Sequence, residues 1–256
     1  MENLVSLPIL FLLVSTAVLW LVEWLGVYMP HKMTDDERSD LNLVAGATLT
    51  LLSLLIGFTF SMSTTRYDQR KNYEEAEANA IGTEYVRADL LPAQDAGKVH
   101  GLLKKYTEQR ILFYTARDSV VLQHVKVATD RLQTDLWSGV RDASQSQPTA
   151  VGMLVVSGMN DVLNSQGYTQ AAWWNRIPTA AWSLMLGVAI VSHVLVGFIL
   201  HRREGKYWAL IILPLVVGLS FFLIADIDSP RGGIIRVAPQ NLTDLYQSLP
   251  GANTNH

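Results

Sequence analysis

The sequence predicts an all-α integral membrane protein: four transmembrane helices, with a large helical insert between the second and third. Three observations predict it. Almost half of the 256 residues are hydrophobic and only 17% are charged, with the apolar residues gathered into four long runs. Tryptophan and tyrosine cluster near the ends of those runs (Trp20, Trp24, Tyr28, Trp173, Trp174, Trp182, Tyr207, Trp208), at the depth where amphipathic rings prefer to sit. Between the second and third runs lie over a hundred mostly polar residues, and positions 64–147 hold 12 basic and 12 acidic side chains.

A bilayer core of roughly 30 Å needs about 20 apolar helical residues. The first run, Leu4 to Tyr28, has 25 residues and one charge, Glu23. It lacks a basic leader and exceeds a signal-peptide core, so it is expected to remain as a span. The second, Leu41 to Ser63, carries no charge. The third, Thr179 to Leu200, follows Pro178 and contains His193. The fourth is expected over 207–225, with Pro214 inside it and Asp226 beyond. The domains expected are therefore 1–63 (spans 4–28 and 41–63), an insert over 64–178, 179–227 (spans 179–200 and 207–225), and a tail over 228–256.

No Gly or Pro interrupts Ser61 to Ile81, so the second span is expected to leave the membrane as one continuous helix that Pro92 ends. From 41 to 90 such a helix measures about 75 Å. A second insert helix is expected from Ala93 to Ser144, with Leu102, Leu103, Tyr106, Arg110, Phe113, Tyr114, Arg117, Val120, Val121 and His124 forming its packed stripe. A shorter one is expected from Thr149 to Leu163, started by Pro148 and ended by Asn164 and Gly167. Loop charges orient the chain weakly, six near-membrane basic residues on the insert side against five opposite. The ionised insert favours a cytoplasmic placement with both termini.

Composition also excludes functions. With 20 basic and 23 acidic residues and a net charge of -3, there is no basic surface for nucleic acid. Without cysteine there are no disulfides, thiolate metal sites or cysteine nucleophiles. No zinc-protease, nucleophile-elbow, phosphate-loop or EF-hand pattern occurs. No catalytic residue, metal site or cofactor is expected. Asp35-Asp36-Glu37 reads as a solvated turn rather than a cation site, and Asp228-Ser229-Pro230 with Gly232 and Gly233 as a turn.

The second span is rich in small and hydroxylated residues. One stripe reads Ala47, Thr50, Leu54, Phe58, Ser61, Thr65, small or hydroxylated at its ends and apolar at its centre. Repeated around a ring, it would form a hydrophobic constriction that gates by dewetting. Close helix packing is the plainer explanation of the same small residues. Beyond it, Glu74, Glu77 and Glu84 are possible vestibule or gating carboxylates, although mixed charges on a wet helix ordinarily pair at i,i+4. His193 is either an ion-path group or a partner for a neighbouring helix. Glu23 could reach headgroups or Lys32, and Arg66 with Tyr67 would anchor the span end.

Ser53 to Tyr67 resembles the second transmembrane segment of bestrophins, and the chain is identified as a member of the bestrophin-like family of bacterial membrane proteins. The phrases that carry this are Ile56-Gly-Phe-Thr-Phe-Ser61, Arg66-Tyr-Asp68, Glu77-Ala-Asn-Ala-Ile-Gly82, Arg87-Ala-Asp-Leu-Leu-Pro92, Asn175-Arg-Ile-Pro178, Ala225-Asp-Ile-Asp-Ser-Pro-Arg231 and Ile235-Arg-Val-Ala-Pro-Gln240. The resemblance implies a homopentameric channel for small inorganic ions in the bacterial inner membrane, with lipid and its own copies as partners. The second span would line the pore, with neck positions at Thr50, Leu54 and Phe58, and the insert would form a cytosolic vestibule. Thr50 departs from the bulky apolar residue usual there, and the acidic calcium clasp of animal bestrophins is absent. The competing expectation is a non-conducting scaffold or signalling protein whose insert recruits a cytosolic partner.

Overall fold

The computed structural model describes residues 8–29, 34–146, 150–200 and 208–250. Among them every regular element is helical. The helices are α1 (Pro8–Val27), α2 (Asp35–Arg87), α3 (Ala93–Thr115), α4 (Ser119–Ser146), α5 (Ala150–Trp174), α6 (Thr179–Leu200), α7 (Ala209–Asp228) and α8 (Gln240–Ser248), with a 3-10 turn at Ala88–Leu90. Four helical stretches are long and apolar enough to cross a membrane. The ends expected for the first and fourth spans at Leu4 and Tyr207, and the proline expected to start a helix at Pro148, lie outside the described residues.

The long helix α2 starts with a capping box. The Thr34 N–H donates to Glu37 at 2.8 Å, and the Glu37 N–H donates to the Thr34 hydroxyl at 3.3 Å. It then runs 53 residues, because nothing between Ser61 and Ile81 breaks it. The 3-10 turn closes it, Leu91 turns extended, and Pro92 caps α3.

The chain forms two compact units. The first is Met1–Tyr67 with Arg176–Arg236. Its core is Leu19, Leu52, Met185, Ala189, Val217 and Phe221, flanked by Phe11 and Trp182, whose rings meet edge to face at 6.2 Å. Glycine lets α1 come close to its neighbours. A Cβ at Gly197 of α6 would collide with the Glu23 carbonyl, and one at Gly218 of α7 with the Thr16 hydroxyl. Such contacts are how membrane helices gain packing without a hydrophobic drive.

The second unit is Asp68–Asn175 with Val237–His256. It buries Ile81, Val99, Leu103, Tyr106, Leu136, Val140, Val155, Met159, Val162 and Leu242. Phe113, Tyr114 and Trp173 form a ring cluster with centroids 5.0 to 5.5 Å apart.

Two expectations are corrected here. The helix expected from Ala93 to Ser144 is two helices, broken at Ala116, whose backbone is extended, with the Asp118 carboxylate accepting the Val120 N–H at 2.8 Å. Arg117, Val120, Val121 and His124 consequently fall on exposed surface rather than on the packed stripe. The helix expected to end at Leu163 runs on to Trp174, through Asn164 and Gly167. Burial of Val155, Met159, Val162, Ser165, Thr169 and Ala172 along one face outweighs the weak helix preference of those two residues.

Candidate functional site

Helix periodicity divides α2 into two faces. Ala45, Leu52, Thr59, Ser63, Arg70, Glu74, Glu77, Ile81 and Glu84 are buried. Ala47, Thr50, Leu54, Phe58, Ser61 and Thr65 are all exposed, Leu54 at 52% and Phe58 at 69%. At 100° per residue these two sets lie on opposite sides of the helix. The exposed side continues through Asp68, Asn72, Asn79 and Thr83. Nothing lies within 4 Å of a Cβ placed on Gly46 or Gly57, so this face is bare in the single chain.

The hydroxyls of this helix satisfy themselves. Thr50 donates to the Gly46 carbonyl at 2.8 Å and Thr65 to that of Ser61 at 2.9 Å. A hydroxyl that donates backward keeps its oxygen lone pairs free, so the face offers acceptors on either side of an apolar centre.

Charges around the end of the stripe are sorted by face. Arg66 is half-buried, its guanidinium 3.6 Å from the Asp228 carboxylate, which also accepts the Ile177 N–H at 3.1 Å. Arg66, expected with Tyr67 to anchor the end of the span, thus also contacts Asp228. Arg70 is buried and donates to the carbonyls of Ala172 at 3.2 Å and Asn175 at 3.1 Å. Asp68, between them in sequence, points the other way and is exposed. The turn after α7 is stabilised by Asp226, which accepts the N–H groups of Ile234 and Ile235 at 2.7 and 2.8 Å.

Glu74, Glu77 and Glu84, expected as vestibule or gating carboxylates or as ordinary pairs on a wet helix face, are all buried inside the second unit. Glu77 pairs with Arg110 and accepts from Thr169 at 3.1 Å and Tyr114 at 3.3 Å. Burial, with the Glu77 charge beside it, raises the Tyr114 hydroxyl well above its usual range. Glu74 accepts from Asn241 at 2.6 Å and the Leu242 N–H at 2.9 Å, fastening α8 to α2. Burial raises its carboxyl, and those two hydrogen bonds oppose the shift. For Glu74 and Glu77 the expected i,i+4 surface pairing is therefore replaced by long-range partners, because the face they share with Ile81 is the packed one.

In the first unit His193 is fully buried, with Nδ1 2.7 Å from the carbonyl of Ala189 on its own helix. Its Nε2 has no partner among the described residues. Glu23 is likewise buried, and Lys32, its expected partner, lies outside the described residues.

A family model described as a Bestrophin-like domain matches residues 13–242. No curated protein matches the sequence. Among solved structures, the chain is similar to a bacterial Bestrophin homolog from Klebsiella pneumoniae carrying a mutation, at 12% identity and a TM-score of 0.68, covering 97% of this chain and 99% of that one. It is also similar to the Klebsiella pneumoniae homolog phased from zinc, at 14% identity and a TM-score of 0.61, covering 93% and 98%. At these identities the likeness establishes a shared fold.

Proposed function

The chain belongs to the bestrophin-like family, and from that premise we propose that it is the subunit of a homopentameric ion channel in which α2 lines the conduit. The observation that carries the proposal is the two-faced character of α2. One side is buried along its length. The other stays bare for about ten turns, with Leu54 and Phe58 at the centre of Thr50, Ser61 and Thr65. Copies arranged around an axis would cover that face and leave an apolar neck with hydroxyl acceptors above and below. Water leaves such a constriction readily, which makes it a gate. Thr50, a hydroxyl at the first of the expected neck positions, would leave the neck shorter, resting on Leu54 and Phe58.

In this reading the first unit sits in the bacterial inner membrane and the second forms a cytoplasmic vestibule, with no catalytic step. The scaffold alternative drew on one long amphipathic insert helix; that helix is broken at Ala116, and its stripe does not continue past the break. The test is flux. Purified protein in lipid vesicles is expected to pass small ions, and Phe58→Ala to raise the rate. Vesicles that stay tight to a panel of anions and cations, with a foreign protein recovered stoichiometrically from native membranes, would favour the scaffold.

A further inference from the structure

Of the three carboxylates on the inward face of α2 in the second unit, Glu84 differs from the other two. Glu74 and Glu77 are met by donors. Both oxygens of Glu84 are shut away from solvent with no hydrogen-bond partner among the described residues. An ionised carboxylate in that position is costly. Residue 158 makes room for it: a Cβ at Gly158 of α5 would collide with Glu84 Oε2 and with Arg87 Nη1. Helix α5 thus presents bare backbone to both side chains, and Arg87 stops outside ion-pairing distance of the carboxylate.

We propose that Glu84 is a proton-operated fastening between α2 and α5, closed over Gly158 when its carboxyl is protonated and loosened when it ionises. Burial pushes that carboxyl up from 4.5 to about 8; Arg87, one turn on in α2, opposes the shift and Asp161 of α5 adds to it. The nearest other charged groups that are buried or half-buried are held by different partners. Arg110 of α3 holds Glu77, Arg70 holds carbonyls, and His100 of α3 meets Asp89 and the Tyr85 carbonyl.

The sign follows from linkage. The folded chain favours the neutral form more than the unfolded chain does. The contact is therefore at full strength below the ordinary carboxylate range and weakens as pH rises to about 8. The last step rests on the conducting reading above: α2 is unbroken from Asp35 to Arg87, so a change at Glu84 acts on the same helix that carries Phe58.

Hydrogen exchange of the full chain in lipid nanodiscs, corrected for intrinsic rates between pH 4 and pH 10, tests the fastening. The amides of α5 around Gly158 are expected to lose protection as pH rises out of the ordinary carboxylate range, the loss levelling off near 8. Glu84→Gln should flatten that profile, Asp161→Asn should lower the pH at which it levels off, and Arg87→Gln should raise it. A flat wild-type profile overturns the proposal, as does a Glu84→Gln variant that titrates like the wild type. If Glu84→Gln does not assemble, the two charge variants decide: opposite shifts support the fastening and unmoved profiles overturn it. Flux in vesicles over the same pH range reads the regulation. A matching profile supports it and pH-independent flux refutes it. Absence of flux at every pH defeats the conducting reading, while the exchange data still decide whether the fastening exists.

Discussion

The guanidinium of Arg110 and the carboxylate of Glu77 form an ion pair that is 1% and 0% exposed, sealed beneath the Phe113 ring and the hydroxyls of Tyr114 and Thr169. A pair removed from water to this degree contributes through what its loss leaves behind. Removing one partner of such a pair costs about 3–5 kcal/mol, because the other charge stays buried. Arg110→Met is expected to lower the thermal midpoint in detergent by about 10 °C, at roughly 2–4 °C per kcal/mol for a chain of this size. Adding Glu77→Gln should restore part of the loss. Additive losses would show that the two side chains act independently.

Gly197 should tolerate no side chain. Its Cβ position is occupied by the Glu23 carbonyl, so Gly197→Val is expected to force α1 and α6 apart at a cost of about 1–3 kcal/mol. Gly187, ten residues earlier on α6, has nothing within 4 Å of its Cβ position. Gly187→Ala should be neutral or stabilise by up to about 1 kcal/mol through helix propensity. Thermal melts of the two variants side by side check the contrast.

Asp68 is expected to bias ion choice. Arg66 and Arg70 turn inward, so Asp68 is the charge that the exposed face presents within one turn of Thr65, with Lys71 and Glu75 next along it. A ring of carboxylates attracts cations. Asp68→Asn should lower the cation-to-anion permeability ratio about fivefold, equivalent to roughly 1 kcal/mol of attraction at a wet mouth. Reversal potentials under a salt gradient measure it. An unchanged ratio would remove Asp68 from the ion path.

The absence of native cysteine makes the exposed face directly addressable. Leu54→Cys, Phe58→Cys and Thr65→Cys are expected to react with water-borne thiol reagents and lose most of their flux. Leu52→Cys, on the buried face, should do neither. Reaction at all four positions without any effect on flux would place the conduit elsewhere.

Much of this architecture is legible in the sequence where local chemistry decides it. The unbroken α2 follows from the missing Gly and Pro between Ser61 and Ile81, whereas Asp35-Asp36-Glu37, expected as a solvated turn ahead of the span, is the first turn of α2, capped by Thr34. The break at Ala116 is not legible in that way. No Gly or Pro marks it, and the only local trace is Asp118 turned back onto the Val120 N–H. Asn164 and Gly167 misled for the opposite reason, since tertiary packing carries α5 through them. The buried glutamates looked like a wet face because Arg70, Lys71 and Arg87 flank them. The available signal was spacing: Arg70, Glu74, Glu77, Ile81, Glu84 and Ala88 recur at three and four residues, the period of one packed stripe that contains Ile81 and Ala88.

An image of the assembled complex in lipid, resolved to side chains, tests the central claim most directly. The account predicts identical copies around one axis, with Leu54 and Phe58 of every α2 pointing into a continuous opening. Finding that face of α2 against lipid, or no opening along the axis, would contradict it.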